Sequence, residues 1–458
     1  MNDAESDSAG GPVWFRRLAT GLLTLGFLWF ICPGLLARFT PDDIMNLHAA
    51  WAPPWRELLV QAAFPWLPGV RPVGGVLYRA SFEVFGFNLL AFRILLTALL
   101  GWNVWLTARL AARIAGNAWA GWFAASLSLY HLNFQALYWN TGTCYDILAF
   151  SGTWWAAWVT LRARTERIGA WKWVAAGVAY WLALGAKEIA LALPAILLAF
   201  ELLPGRRQWT ALAVSTVVAG GCVVGRIYGG GGILTHPLYV PEFSVTAYGR
   251  SLAALLGDLV YRHGWFTPAT ALGVLAGLAA AAAFSRSREA WVAWLCFALS
   301  ALPVALIPPR GVYAWYVPLA ALWMLGGMAL VRMPVGKPAL WMAVSGLLLI
   351  AHTRAGERIP RFILDEQEVI AAVVDGLSRS PLGSGPDAGL LIVEDPFQGH
   401  AWGEWKSAML IRLQTGRHDL LVQYPHEREL VSGLTPLGWR NGRFERISGV
   451  SGDGEPGR

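Results

Sequence analysis

The chain has 458 residues, of which 56% are hydrophobic and only 14% are charged. A soluble domain of this length could not bury so many apolar side chains, so the composition predicts a polytopic membrane protein with a small polar part. The net charge of +7 is spread between the apolar segments, whereas a nucleic-acid-binding surface would gather it into one stripe. Membrane lipids are therefore predicted partners, and nucleic acid is not.

The cysteines do not form a metal-binding motif. Cys32, Cys144, Cys222 and Cys296 lie within or beside apolar segments, and their spacing is not that of a metal site. We interpret them as buried thiols.

Eleven apolar segments predict membrane-spanning helices. They cover residues 18–37, 94–112, 118–138, 143–161, 172–186, 188–203, 210–228, 266–284, 290–307, 312–331 and 338–352. Lys and Arg cluster in every second connection, which is the pattern of cytoplasmic loops. The amino terminus is therefore predicted in the cytoplasm, and the odd number of spans places the carboxyl terminus outside. Residues 250–264 carry Asp258, Arg262 and His263 and predict a short interfacial helix instead of a twelfth span.

The predicted fold class is an all-α polytopic membrane protein with interfacial helices in its first outer loop and a small carboxyl-terminal α/β domain outside the membrane. We divide the chain into a disordered cytoplasmic segment (1–14), a transmembrane domain (15–352), the α/β domain (356–449) and a disordered tail (450–458). Within the α/β domain, the pattern predicts helices over 362–377 and 404–413 and strands over 389–393 and 419–422.

Two adjacent carboxylates, Asp42 and Asp43, follow the first apolar segment directly. Other polar residues that are not topological signals fall on the same predicted outer side. They are Arg56, Arg71, Arg79, Arg93, His131, Asn140, Asp146, Lys187, Glu188, Arg226, Arg310, Tyr313 and Tyr316. Because polar side chains at membrane depth usually face a cavity or pair with one another, we predict a polar cavity that opens outward. The arginines in it favour an anion, and phosphate is the obvious candidate.

Several short segments together resemble the C-type membrane glycosyltransferases, and among them the bacterial relatives of protein O-mannosyltransferases and lipid A aminoarabinose transferases. The resemblance covers residues 15–330. It rests on Asp42-Asp43, Arg71-Pro72 with Phe85-Gly86, Trp139-Asn140-Thr141-Gly142, Tyr145-Asp146, Gly185-Ala186-Lys187-Glu188 and the segment 310–318. Two residues depart from the pattern: Tyr145 stands where relatives often carry Arg, and Leu132 replaces a common Pro after His131.

The resemblance implies transfer of a sugar from a polyprenyl-phosphate donor to a lipid, glycan or protein acceptor on the exoplasmic face of a bacterial inner membrane. It makes Asp42 the candidate general base. Asp43 would support Asp42 or hold the sugar or a divalent cation, and no other cofactor is predicted. Lys187 and Arg310 are the candidate phosphate ligands. Arg71, His131, Asn140, Asp146, Glu188 and Tyr313 complete the predicted substrate site.

Structural roles compete with these assignments. Lys187 could extend its ammonium to the interface, with Glu188 capping the helix or pairing with it. Asp146 could pair with a neighbouring cation, and His131 could be a packing residue. For the whole chain, a transporter of lipid-linked sugars and a non-catalytic envelope scaffold are the alternatives. A transporter should line a path across the whole bilayer, yet few charged residues fall in the predicted inner halves.

Overall fold

A computed structural model of the chain describes residues 13–67, 71–129, 136–228, 240–354, 361–380, 382, 389–398, 405–427, 431 and 433–447. Most of these residues are helical. The first nine helices are α1 (Val13–Leu36), α2 (Pro41–Trp51), α3 (Trp55–Ala63), α4 (Pro72–Phe85), α5 (Leu89–Ala115), α6 (Ala118–Leu129), α7 (Ala136–Trp139), α8 (Cys144–Ala163) and α9 (Ala170–Ala186). They are followed by α10 (Leu193–Phe200), α11 (Trp209–Tyr228), α12 (Val245–Leu259), α13 (Pro268–Phe284), α14 (Arg288–Ser300), α15 (Leu302–Ala305), α16 (Tyr316–Arg332), α17 (Lys337–Arg354), α18 (Arg361–Arg379) and α19 (Trp405–Thr415).

Five helical segments among the described residues are long and apolar enough to cross a membrane. They are Val13–Leu36, Leu89–Ala115, Trp209–Tyr228, Arg288–Ala305 and Val312–Arg332. The other segments predicted as spans are also helical in part, but several are shorter than expected, so the count of eleven stays a prediction. Of the predicted span 118–138, the structure describes α6 as far as Leu129 and α7 from Ala136, and residues 130–135 lie outside the described residues.

Small residues let the apolar helices approach one another closely. A Cβ atom on Gly152 of α8 would lie 2.1 Å from the Ala179 carbonyl oxygen of α9, so only glycine fits there. Gly121 of α6 lies as tightly against the Ala108 carbonyl of α5, where a Cβ would be 2.6 Å away. Close backbone approach at small residues is how helices gain packing energy in lipid, where the hydrophobic effect gives no drive to associate.

Among its described residues, the connection between α1 and α5 contains the short helices α2, α3 and α4, and both α2 and α3 pack on α4. The stretch predicted as an interfacial helix over 250–264 is also helical, but α12 starts five residues earlier, at Val245. Ser244 caps it by accepting a hydrogen bond from the Ala247 amide. Among the cysteines, Cys144, Cys222 and Cys296 are buried, whereas Cys32 is exposed on α1, contrary to expectation.

The carboxyl-terminal part contains a four-stranded sheet. Its strands are β1 (Gly389–Glu394), β2 (Leu421–Gln423), β3 (Thr435–Arg440) and β4 (Arg443–Arg446), in the order β2-β1-β3-β4. The central strand β1 is parallel to both neighbours, and β3 and β4 form an antiparallel hairpin that the sequence analysis did not predict. Asn441 and Gly442 both have positive φ at its turn, as a type I′ turn requires.

This carboxyl-terminal part packs directly on α2, the helix that carries the two adjacent carboxylates. Both α18 and α19 contact α2. The Arg38 amide, just before α2, donates to Gln367 Oε1 at 3.3 Å, and the rings of Trp51 and His418 lie 6.1 Å apart. The fold therefore encloses α2 between the helix bundle and the sheet domain.

Candidate active site

The start of α2 is fixed by a reciprocal cap. The Thr40 hydroxyl accepts from the Asp43 amide at 3.2 Å, and Asp43 Oδ2 accepts from the Thr40 amide at 2.7 Å. Pro41 occupies the first helical turn, where its missing N–H costs nothing. The motif Thr-Pro-Asp-Asp is thus a capping box, and it sets the direction in which each carboxylate points.

Asp43 is fully buried at this cap. Its second oxygen, Oδ1, accepts a short hydrogen bond from the Thr141 hydroxyl, and Arg93 Nη2 lies 3.8 Å from Oδ2. Burial raises the pKa of the Asp43 carboxyl above its usual value, and the nearby Arg93 guanidinium opposes that rise. From this position Asp43 contacts no solvent.

Asp42 points the other way and is partly exposed. Its Oδ2 accepts a hydrogen bond from Asn140 Nδ2 at 3.0 Å. Asn140 is itself held, because its Oδ1 accepts from the Gly142 amide at 2.8 Å in the turn before α8. A Cβ on Gly142 would lie 2.9 Å from that Oδ1, so glycine keeps the turn close to the carboxylate. Asp42 and Asn140 thus meet across 98 residues of sequence.

A cluster of charges lies where α8 begins and α9 ends. Lys187 Nζ donates to Asp146 Oδ1 at 2.5 Å. The side chain of Asp146 is 3% exposed and that of Lys187 is 13% exposed, so both members of the pair are largely buried. Asp146 therefore pairs with a cation, which is the structural role that the sequence left open for it.

Glu188 joins two arginines from other helices. Its carboxylate lies 2.9 Å from Arg226 Nη1 and 3.5 Å from Arg71 Nη2. Arg226 also donates to the carbonyls of Pro65 and Leu184, at 3.1 and 2.9 Å. With Lys187 and Asp146, the cluster contains three cations and two carboxylates, so its formal charge is positive. Such a cluster can attract an anion and still be stable when empty.

Arg71 has a left-handed backbone conformation, with φ of +57°. A non-glycine residue pays a free-energy cost for this conformation, and such strain often lies at functional sites. The left-handed conformation of Arg71 lets the chain turn sharply into α4. The Arg71 guanidinium lies over the Tyr145 ring, 5.5 Å from the ring centre.

Tyr313 and Arg310 approach the cluster from the carboxyl-terminal half of the bundle. Tyr313 belongs to a 3-10 helix (Val312–Trp315), and Lys187 Nζ lies 5.6 Å from the centre of its ring. Arg310 is partly buried three residues earlier, after Pro308 and Pro309. The structure thus brings Tyr313 to Lys187 and places Arg310 in the adjoining segment.

Tyr145 connects the Asp42 side of the site to the charge cluster. Its hydroxyl donates to Asn46 Oδ1 at 3.2 Å, and Asn46 lies one turn after Asp42 on α2. The same ring packs on Gly74, where a Cβ would lie only 2.1 Å from Tyr145 Cε1. Asn46 and Thr141 were missed by sequence reasoning. The spacing of four residues from Asp42 to Asn46, which puts both on one helix face, could have indicated the first.

His131 lies outside the described residues. Among the residues that the structure describes, no group of three or more His, Cys, Asp or Glu side chains is arranged to hold a metal ion. A divalent cation held by Asp43 therefore remains a prediction from the sequence.

Solved structures with the same fold identify the architecture. ArnT from Cupriavidus metallidurans, bound to undecaprenyl phosphate, superposes with a TM-score of 0.52 at 12% identity over 91% of this chain and 87% of that one. The apo oligosaccharyltransferase of Archaeoglobus fulgidus gives 0.51 at 13% identity over 92% of this chain and 66% of that one. The fold is that of the C-type membrane glycosyltransferases. No protein-family model and no curated protein matches the chain.

The C-type glycosyltransferase fold extends over nearly the whole chain. ArnT in the apo state also matches, with a TM-score of 0.50 at 14% identity over 88% of this chain. At the start of α2, Asp42 is accessible, and Tyr145 connects it to the positively charged cluster around Lys187 and Glu188. A carboxylate such as Asp42 can accept a proton, and a positively charged cluster can stabilise an anion.

Proposed function

We propose that this chain is a membrane glycosyltransferase that moves a sugar from a polyprenyl-phosphate donor to an acceptor hydroxyl on the exoplasmic face. The observation that carries the proposal is that the two adjacent carboxylates differ in exposure and in hydrogen-bond partners. Asp43 is buried in the helix cap, whereas Asp42 is accessible and held by Asn140. The C-type glycosyltransferase fold, shared with an ArnT that binds undecaprenyl phosphate, supports the same conclusion.

Asp42 acts as the general base in this proposal. It removes the proton of the acceptor hydroxyl while the hydroxyl oxygen bonds to the anomeric carbon of the sugar. The bond from that carbon to the phosphate oxygen breaks, and the polyprenyl phosphate leaves with the bonding electrons. Asn140 holds the carboxylate at one oxygen, so the other is available to the acceptor.

The charge cluster stabilises the leaving phosphate. Lys187, Arg226 and Arg71 have similar side-chain exposures of 13%, 14% and 17%, and the two arginines pair with Glu188. Binding a phosphate would replace or share the bond from Lys187 to Asp146, because one ammonium has three protons to donate. Arg310 and Tyr313 belong to the segment that adjoins Lys187 and complete the phosphate site.

The proposal includes the orientation of the chain. Eleven spans, a cytoplasmic amino terminus and a carboxyl-terminal domain outside would place α2 and the sheet domain on the exoplasmic side of a bacterial inner membrane. Nucleotide sugars are not expected there, so the proposed donor is an activated sugar delivered on a lipid carrier. The proposed acceptor is a lipid, a glycan or a protein.

The decisive experiment separates chemistry from donor binding. Asp42→Asn keeps shape and most hydrogen bonding but removes basicity, so transfer should fall by about 10² to 10⁴. Binding of undecaprenyl phosphate to the purified variant should stay near wild type. Glu57→Gln, an exposed carboxylate in the neighbouring helix α3, is the matched control and should leave transfer unchanged. Transfer is followed by mass spectrometry of envelope glycans and glycoproteins in a deletion strain that carries each variant.

The phosphate site is tested in the same way. Lys187→Met should weaken binding of undecaprenyl phosphate strongly, whereas Lys172→Met, the same substitution at the other end of α9, should not. Full transfer by Asp42→Asn would remove the base from the proposal. Unchanged envelope glycans in the deletion strain, with lipid-linked sugars accumulating on one membrane face, would favour a transporter. Unchanged glycans without that accumulation would favour a scaffold.

A further inference from the structure

One polar atom beside Asp42 has no partner within the part of the chain that the structure describes. Asn46 is partly exposed, and its Oδ1 accepts from the Tyr145 hydroxyl, which leaves the amide nitrogen Nδ2 with both protons to donate. Because Asn46 lies four residues after Asp42 on α2, the two side chains project from the same helix face.

Both side chains lie against the same turn. A Cβ on Gly142 would be 3.2 Å from Asn46 Nδ2 and 3.4 Å from Asp42 Cβ. The amide and the carboxylate therefore border one opening, next to a glycine that leaves room there. A planar amide beside a carboxylate is well suited to bind hydroxyl groups, since one donates and the other accepts.

The position of Asn46 between the two ends of the site identifies what it would meet. On one side lies Asp42, and on the other Tyr145 leads to Arg71 and its carboxylate partner Glu188. In a transfer from a phosphate to a hydroxyl, the sugar must lie between the base and the phosphate. The Asn46 amide nitrogen, which lies between the base and the charge cluster, would therefore face the transferred sugar.

We propose that Asn46 Nδ2 donates a hydrogen bond to a ring hydroxyl of the transferred sugar, and that Tyr145 orients the Asn46 amide for this contact. The inference rests on the proposed function and adds to it a residue that recognises the sugar. Tyr145 is a positioning residue, because its hydroxyl contacts Asn46 and its ring is held between Gly74 and Arg71. Because the Tyr145 hydroxyl holds Asn46 Oδ1, the direction of Asn46 Nδ2 is fixed as well.

The test compares two lipid probes: undecaprenyl phosphate alone, and undecaprenyl phosphate that carries a hexose or a pentose. Asn46→Ala should reduce affinity for the sugar-linked lipid that the wild type transfers by about fivefold to tenfold, the value of one neutral hydrogen bond. Affinity for undecaprenyl phosphate alone should stay within about twofold. Met45→Ala, at the exposed neighbouring position of α2, is the matched control and should change neither affinity.

Tyr145→Phe removes one hydroxyl and keeps the ring, so it tests the contact even if Asn46→Ala folds poorly. It should reduce affinity for the sugar-linked lipid in the same direction but less. The double variant should be no weaker than Asn46→Ala alone, since the hydroxyl acts only through Asn46. Additive losses would overturn the role of Tyr145.

Two results would overturn the role of Asn46: wild-type affinity for the sugar-linked lipid in Asn46→Ala, or an equal loss for both lipids, which indicates a structural role. These results are distinct from failure of the proposed function. If Asp42→Asn is inactive while Asn46→Ala transfers normally, the glycosyltransferase stands and the sugar contact falls. If the wild type transfers sugar from none of the lipids, the proposed function fails and this inference fails with it.

Discussion

Arg93 Nη2 lies 3.8 Å from Asp43 Oδ2, and both side chains are almost completely buried. Arg93 also donates to three backbone carbonyls, those of Gly34 (2.9 Å), Arg38 (3.0 Å) and Trp139 (2.6 Å). One guanidinium thus joins the end of α1, the start of the first outer connection and the end of α7. The same cation neutralises the carboxylate that caps α2.

Arg93→Met should destabilise the protein strongly. The substitution leaves Asp43 buried without its charge partner, and breaking such a pair typically costs about 3 to 5 kcal/mol. Thermal unfolding of the purified protein measures the change. Arg109→Met, at an exposed position of the same helix α5, is the control and should shift the midpoint little. Equal midpoints for the two variants would show that Arg93 is not structural.

Gly74→Ala and Gly75→Ala should differ sharply although the residues are adjacent in α4. A Cβ on Gly74 would lie 2.1 Å from Tyr145 Cε1, so the ring must move, whereas a Cβ on Gly75 would lie 3.2 Å from Leu58 Cδ1 and 3.6 Å from Ala50 Cβ. Overpacking of the first kind typically costs about 1 to 3 kcal/mol. We expect Gly74→Ala to lower the unfolding midpoint and sugar transfer together, and Gly75→Ala to preserve both. Similar midpoints would contradict the packing of Tyr145 on α4.

The pH dependence of stability should contain a contribution from His48 on α2. Burial, together with the positive charge of Arg412 on α19, lowers the pKa of His48 to about 4. The fold therefore favours the neutral ring. The stabilisation is complete above the ordinary pKa of about 6.5 and is lost as the pH falls toward 4. Between pH 7 and pH 4.5 the unfolding midpoint should fall more in the wild type than in His48→Gln. Parallel curves would exclude His48 as the cause.

The predicted topology can be read with reporter fusions. Fusions after Arg167, Arg207, Arg288 and Lys337 should report the cytoplasm, because these residues lie in the basic connections. A fusion at the carboxyl terminus should report the outside. A cytoplasmic carboxyl terminus would mean that the span count is wrong by one. A cytoplasmic report at Lys187 would remove the outward site altogether.

The sequence predicted the helices well where hydrophobic patterns and caps agree, and it predicted the site only as a set of residues. The local signal that distinguishes Asp42 from Asp43 is the capping-box spacing from Thr40 to Asp43, which the sequence analysis did not use. Their different exposure follows from the capping box and from Thr141, which lies 98 residues away from Asp43. The pairing of Lys187 with Asp146 is likewise set by how α8 packs on α9. Long-range packing of this kind leaves no pattern in a single sequence.

The hairpin of β3 and β4 is a different case, because its signal is local. Asn441-Gly442 stands between Trp439-Arg440 and Arg443-Phe444, and Asn-Gly between strand-forming residues predicts a two-residue hairpin turn. The short parallel strand β2 has no such signal, since three residues are too few for a clear period of two. The β3–β4 hairpin could therefore have been predicted from Asn441-Gly442.

The contacts of Asp43 also have a consequence for how the protein is made. Its partners Arg93 and Thr141 are synthesised roughly 50 and 98 residues after it. Until both have been synthesised, the Asp43 carboxylate lacks its charge partner and one of its hydrogen-bond donors, so they do not yet stabilise the start of α2. The connection between α1 and α5 therefore reaches its final packing only after α5 and the turn before α8 have been made.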